Sequence, residues 1–382
     1  MKKIRRLFLA AFIHSALSGS PALAASGGDN TQTILIGFAG PLAWPLAQSG
    51  QYGVQLAIDE ANKSNPRING APVLFQLQEQ DDKADARTTE YVARQFAASK
   101  AIGVIGHWTS SATVIAAPIY NEAGLAQVSP ASWSRGFTQK SYKTAFQIMG
   151  SDDAGLALAA DYLVKEMQIK RALVLDDGAY LGTSMAEYFS THVRAAGGEV
   201  VYRASVNDKT SDFNAPLQKA QQLKPDLIFF SGRVIQSDAL ARNLDRFQLS
   251  AKLLLTGTVV SDNFLRNAGK SDGVVMAIIP GTPQDKRPGM AMLQKKYGER
   301  FDGEMPPFAA YSYDAVHLLI AAAKKANSLD RSKIVEALHD MKHNGVTGTI
   351  AFDADGALLK PGFTLYGMQQ QKWVPLRVFN PK

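Results

Sequence analysis

Short apolar runs rich in Val, Ile and Leu alternate along the chain with longer segments whose apolar positions recur every three or four residues. The runs at 33–39, 73–78, 101–106 and 125–128 are almost continuously apolar, the pattern of parallel strands buried on both faces. Between them, 53–62 places Val54, Ala57, Ile58 and Ala61 at the spacing of one buried helix face, and 87–99 and 112–122 fill the next two gaps. After the turn Gly150-Ser151-Asp152-Asp153 the alternation starts again, with strands expected at 171–175, 200–205, 227–230, 253–256 and 274–278. The helices of this second run include 155–167, with a core stripe of Leu156, Ala159, Ala160, Leu163, Val164 and Met167, and 182–196, stopped by Gly197-Gly198.

Two successive sets of βα units predict an α/β protein of two doubly wound parallel-sheet lobes. A proline-rich loop at 280–288 reads as the connection between them. Helices at 290–301, 311–326 and 331–341, then an antiparallel-looking tail at 349–352, 364–369 and 373–376, are too little for a third domain. They are expected to return and complete the lobes. The expected division is 25–150 with 280–351 for lobe 1, and 151–279 with 352–382 for lobe 2.

Composition agrees with a folded chain: 46% of the 382 residues are hydrophobic and 20% are charged. The absence of cysteine excludes disulfides, thiolate metal sites, cysteine nucleophiles and thioether lipid anchors together. Lys2, Lys3, Arg5 and Arg6 precede the short apolar stretch 7–17, and Ala22-Leu23-Ala24 follows as a small-residue cleavage pattern, so 1–24 reads as a cleavable signal peptide. The mature product is expected to be periplasmic, with no lipid anchor and no membrane span. Loss of those four basic residues lowers the formal net charge from +7 to +3, which removes the main support for nucleic-acid binding.

Catalytic signatures are missing: there is no GxSxG, P-loop or HExxH, and the glycines lack dinucleotide-loop spacing. His339 and His343 fall four apart on an expected helix, but Asp340, Met341 and Lys342 lie between them and no glutamate does. They read as cations in a last helical turn before Gly345, and no metal or cofactor is expected. Asp81-Asp82 and Asp176-Asp177 read as strand terminators or caps, because neighbours on an extended chain point to opposite sides. The doublets Lys295-Lys296 and Lys324-Lys325 read as solvated helix faces.

One constellation goes further. The segment Ile105-Gly106-His107-Trp108-Thr109-Ser110-Ser111-Ala112-Thr113, followed by Val128-Ser129-Pro130-Ala131-Ser132, resembles the matching part of the periplasmic leucine/isoleucine/valine-binding proteins, type I solute receptors of ATP-driven importers. The likeness extends over nearly the whole mature chain, through Gly37-Phe38-Ala39-Gly40-Pro41, Asp59-Glu60-Ala61-Asn62, Asp177-Gly178-Ala179-Tyr180-Leu181-Gly182 and 348–356. It implies a type I periplasmic binding protein fold, two lobes joined by three hinge crossings, a small-molecule ligand in the cleft and an inner-membrane ABC permease as partner. The product would be a monomer and not an enzyme.

In the family, the counterpart of Ser110 and the segment matching Ala131, Ser132 and Trp133 hold an α-amino acid carboxylate. The residues here suit an anion, since Ser110 and Ser111 stand where a strand passes into a helix whose first N–H groups are free. The same serines also suit helix N-caps. Tyr180 resembles the tyrosine that closes over the ligand from the second lobe. Departures from the family bear on the ligand: Thr258 occupies the place of the glutamate that pairs with a ligand ammonium, and Arg233 adds a positive fork suited to a carboxylate. Trp133 replaces a small hydroxyl residue, and Trp44 and Trp108 are expected on neighbouring loops, where three aromatics would form a platform. Together these point to a carboxylate without a free α-ammonium, aromatic or dicarboxylic. The alternatives are a conventional aliphatic amino-acid receptor with Asp262 as ammonium partner, or a ligand-sensing regulator of the same fold.

Overall fold

The structure, a computed structural model, describes residues 31–380 apart from 208, 211, 270, 271, 288 and 302; the expected signal peptide lies outside the described residues. The first half of the chain runs β1 (Gln32–Gly40), α1 (Pro45–Lys63), β2 (Arg67–Ile68), β3 (Ala71–Asp81), α2 (Ala86–Ala98), β4 (Ala101–Ile105), α3 (Ser110–Glu122), β5 (Ala126–Ser129) and β6 (Ala145–Gln147). These strands make one sheet in the order β2-β3-β1-β4-β5-β6, parallel except for β2. The apolar runs explain the parallel pairing: β4 and β5 are buried along their whole length, so helices must cover both faces.

The chain continues with α4 (Asp152–Lys165), β7 (Arg171–Asp176), α5 (Tyr180–Ala195), β8 (Glu199–Ser205), α6 (Asn214–Leu223), β9 (Leu227–Ser231), α7 (Val234–Arg246), β10 (Lys252–Leu255), α8 (Asp262–Asn267) and β11 (Val275–Pro280). Three helices follow, α9 (Met290–Phe301), α10 (Pro307–Ala326) and α11 (Arg331–His339), then β12 (His343–Gly345), β13 (Gly348–Ile350), β14 (Phe363–Gln369) and β15 (Lys372–Phe379). The second sheet is ordered β15-β14-β11-β10-β9-β7-β8, with β14 and β15 antiparallel and the other five strands parallel.

The late helices go back to the first sheet. α10 lies along α1 closely enough that a Cβ on Gly53 would sit 2.2 Å from the Ala309 carbonyl oxygen, so a side chain there would drive the helices apart. Arg331, at the start of α11, donates to the carbonyls of Ala97 at 3.0 Å, Ser99 at 2.7 Å and Ala101 at 3.1 Å, tying down the C-terminal end of α2. The chain therefore passes between the two sheet units three times, at 148–151, 281–289 and 351–362. Met149, Gly281, Thr282, Tyr311, Ile350 and Gly362, drawn from these passages and their flanks, line a cavity of about 110 Å³.

Several expectations are corrected. β6 carries no signal of its own in the sequence, being three residues long. α1 starts at Pro45, well before the expected 53, because Gln48, Ser49 and Gly50 hide its first turns from a hydrophobic count. The segment at 349–352 does not join the tail sheet: β13 pairs with β12 in a separate two-stranded ribbon. Asp314 holds that ribbon, its buried carboxylate accepting the N–H groups of Val346 at 2.9 Å and Thr347 at 2.8 Å and the Thr347 hydroxyl. α11 ends at His339 with Asp340 as its C-cap, so His339 and His343 share no helix face; His339 Nε2 meets the Lys143 carbonyl at 2.8 Å and His343 opens β12.

Candidate ligand-binding site

Parallel βα sheets leave a crevice outside the C-terminal ends of their strands, and every ligand-binding candidate named from the sequence falls in a segment that follows such an end. Trp44 follows β1, Ser110 and Ser111 follow β4, and Ala131, Ser132 and Trp133 follow β5. On the second sheet, Tyr180 follows β7, Arg233 follows β9, and Thr258 follows β10.

The serines are joined directly. The cap of α3 is Thr109, not Ser110 or Ser111: its hydroxyl accepts the Ala112 N–H at 3.3 Å. Freed of capping, the buried Ser110 hydroxyl accepts from the Ser132 hydroxyl and from the Trp133 N–H, both at 3.3 Å. With Ala112 satisfied by the cap, the N–H groups of Ser110 and Ser111 remain as first-turn donors with no acceptor inside the helix. Hydroxyl and amide donors thus converge at a positive helix end, an arrangement suited to a carboxylate. Ser111 itself is exposed, its hydroxyl 3.4 Å from that of Thr109, and Ala131 is half-buried between Pro130 and Ser132.

Beneath this loop lies a network that the sequence did not disclose. His107 Nδ1 is 2.7 Å from Asp82 Oδ2, its Nε2 is 3.0 Å from the Tyr120 hydroxyl, and none of the three residues reaches solvent. Burial, reinforced by the Asp82 charge, pushes the Tyr120 phenol well above its ordinary range. The His107 carbonyl accepts the Thr113 hydroxyl at 2.8 Å and the Ser129 hydroxyl at 3.4 Å, and Ser129 Oγ in turn accepts the Ser132 N–H at 3.2 Å. The chain of contacts runs from the sheet floor to the exposed donors. Asp82 is thus a buried partner of histidine as well as a turn residue, whereas Asp81 ends β3 and accepts from Leu42 N–H at 3.2 Å and Lys83 N–H at 2.9 Å.

The three-tryptophan platform is not what forms. Trp108 is 7% exposed, wedged between Phe38 and Phe308 at centroid distances of 6.5 and 5.4 Å, and Trp133 is 8% exposed within the same core cluster. Only Trp44 of the three keeps an open ring, at 49% exposure. Turned inward, each of these two indoles buries its large apolar surface in the core.

On the opposite wall, Tyr180 is half-exposed and reaches toward the first sheet: its hydroxyl lies 3.5 Å from that of Ser134, and a Cβ on Gly136 would come within 2.2 Å of it. Arg233 sits at the start of α7 with its N–H donated to Gln236 Oε1 at 3.1 Å. Its positive charge acts on Asp177, whose carboxyl burial nevertheless holds above the usual range. Asp177 and Asp176 turn the chain out of β7 by accepting the Ala179 N–H at 3.0 Å and the Gly178 N–H at 2.9 Å. Thr258 is exposed in the turn after β10, and Asp262 is exposed in the first turn of α8. Among the described residues no group of three or more potential ligands could hold a metal ion, and no helix is long and apolar enough to cross a membrane.

The profile of a family described as periplasmic binding protein matches residues 33–371. The Leu/Ile/Val-binding protein homolog 1 of Brucella abortus is 27% identical over 352 residues, which cover 90% of this chain and 93% of that protein. The branched-chain amino acid transporter substrate binding protein LivJ of Streptococcus pneumoniae, solved with isoleucine, superposes with a TM-score of 0.78 at 24% identity, covering 92% of this chain and 100% of that one. A solute binding protein of an ABC transporter from R. palustris, solved with benzoate, superposes with a TM-score of 0.76 at 19% identity, covering 91% and 97%.

Proposed function

The chain belongs to the periplasmic binding protein family, and from that premise we propose that it is the substrate receptor of a branched-chain amino acid-type ABC importer that captures a small carboxylate lacking a free α-ammonium. The observation that supports the reading is the buried Ser110 hydroxyl beside the first-turn N–H groups of α3, with Tyr180 of the second unit reaching across to Ser134. Ser110 and the amides take the carboxylate. Arg233 supplies a planar cation for a second acidic group or for the same one on closure. Trp44 offers an aromatic face, and Thr258 stands where a buried ammonium would need an anion. A solved relative of the same fold holds benzoate, which agrees with this ligand class.

The mature protein begins at 25, works in the periplasm as a monomer, and closes two lobes, 25–150 with 280–351 and 151–279 with 352–382, by bending at the three crossings before docking on a membrane permease. Calorimetry with benzoate, a dicarboxylate series and L-leucine tests the ligand class. Ser110→Ala and Arg233→Ala are each expected to weaken carboxylate binding about tenfold or more, the worth of a hydrogen bond to a charged group. Unchanged affinity in Arg233→Ala overturns the assignment of that residue.

A second reading, an aliphatic amino-acid receptor, draws on the names of its relatives and on an acid near the second wall. In it Asp262 holds the ammonium, and Asp262→Asn abolishes binding of L-leucine. Since Asp262 is exposed while Asp177 is nearly buried beside the Arg233 charge, Asp177→Asn belongs in the same experiment.

A further inference from the structure

A cluster of ionisable groups lies where the chain first leaves the first sheet. Asp152 opens α4 directly after the 148–151 passage and is 1% exposed. Its N–H donates to the Trp133 carbonyl at 2.7 Å, and its Oδ1 accepts the Arg135 N–H at 2.9 Å and the Asp153 N–H at 2.8 Å. One residue therefore grips the 132–135 loop from both sides. Its other oxygen, Oδ2, is buried with no partner.

Every charge nearby belongs to other groups. Arg135, on a single helical turn of the first unit, turns its guanidinium to Asp153 at 3.5 Å, and His192 of α5 meets Asp153 at 2.6 Å. Tyr188 and Tyr180, also on α5, lie within electrostatic reach of the cluster, and no cation pairs with Asp152 itself among the described residues. Burial outweighs the two N–H bonds and holds the Asp152 carboxyl up at about 6.

We propose that Asp152 is a proton-linked positioning residue of the ligand site: an anion entering beside Ser110 and Trp133 draws a solvent proton onto Oδ2 of Asp152. The inference rests on the reading of 110–133 as the carboxylate site. Two anions held against the same loop repel, so the arriving carboxylate raises the affinity of Asp152 for a proton, and by linkage the proton raises the affinity for the carboxylate. Binding is strongest below pH 6 and weakens as pH rises through the range in which Asp152 ionises. A coupling of half to one pK unit corresponds to a change of about three- to tenfold.

The test is calorimetry from pH 5 to 8 with benzoate and, separately, L-leucine, in pairs of buffers that differ in ionisation enthalpy. Wild type and His192→Gln, the control for the neighbouring pair, are expected to take up a fraction of a proton on binding near pH 6–7. Asp152→Asn is expected to take up none and to bind with an affinity independent of pH. Equal uptake in Asp152→Asn, or binding by wild type without uptake, overturns the proposal. If neither probe binds, the dicarboxylate series takes their place; if that fails too, it is the carboxylate reading that has failed, and nuclear magnetic resonance of the ligand-free wild type decides the rest. Trp133 and Arg135 amide shifts that titrate together near pH 6 support a proton-dependent loop, and amides flat from pH 5 to 8 overturn it.

Discussion

Replacing Gly53 by alanine sets two effects of opposite sign against each other. In an exposed helix interior the change stabilises by about 0.5–1 kcal/mol, because glycine gives up more backbone freedom on folding. In α1 the new Cβ would lie 2.2 Å from the Ala309 carbonyl oxygen and 2.9 Å from its carbon. Carbon and carbonyl oxygen pack at about 3.3 Å or more, so α1 and α10 must separate by roughly 1 Å. The atom struck is backbone and cannot rotate aside, which places the cost near the upper end of the ~1–3 kcal/mol usual for overpacking. The net expectation is a loss of about 1.5–2.5 kcal/mol and a fall in Tm of about 2–4 °C. Gly298 in α9 is the matched control: the nearest atom to its Cβ would be the Gly303 carbonyl oxygen at 3.5 Å, so Gly298→Ala should raise Tm. Urea and thermal unfolding measure both. Shifts of the same sign in the two variants would refute the reasoning, since only the α1–α10 contact distinguishes them.

Arg331→Met removes a guanidinium that serves three carbonyls at 3.1 Å or less, and should lower stability by about 2–4 kcal/mol in urea unfolding, with no rescue by lysine, which lacks the planar fork. Asp314→Asn keeps the shape but loses the charge that gathers Val346 and Thr347, so limited proteolysis should cut at 343–349 sooner than in wild type. His317 is held down at about 4 by burial, below its unfolded range, so the stability it contributes is complete above about pH 6.5 and is lost as pH falls toward 4. His317→Gln should therefore flatten the acid side of a Tm-against-pH curve. Asp152 acts in the opposite sense: its carboxyl is held above its unfolded range, so its penalty is full above about pH 6 and is relieved as pH falls toward 4, a slope that Asp152→Asn should remove.

The periodicity of the chain made the βα alternation legible because buried parallel strands are almost wholly apolar, and β4, β9, β10 and β11 are of that kind. Elements whose stability comes from elsewhere left no such trace. The first turns of α1 are rich in small and polar residues, and the β12–β13 ribbon depends on Asp314, distant in sequence. At the site, the segments around Ser110 and Trp133 were readable as strand-to-helix junctions, but which hydroxyl would cap α3 depended on a one-residue shift that sequence does not resolve. The inward turn of Trp108 was hidden for a related reason, since an indole on a loop is placed by what packs above it, here Phe308 from a helix 200 residues later. The Asp82–His107–Tyr120 network joins three separate elements, and no spacing rule connects them.

The return of α9, α10 and α11 to the first sheet has a consequence for how the molecule is made. The strands of that sheet are complete at Gln147, yet the helix that lies against α1 is not finished until Ala326. During synthesis, some 180 residues must emerge while Val54, Ala57 and Ile58 of α1 still lack part of their covering layer. The first unit therefore cannot lock early, and both units reach their final state close together, near the end of the chain. A polypeptide built in this order stays unlocked for most of its synthesis. Moving α9–α11 by circular permutation so that they precede β7 would let the first unit close ahead of the second.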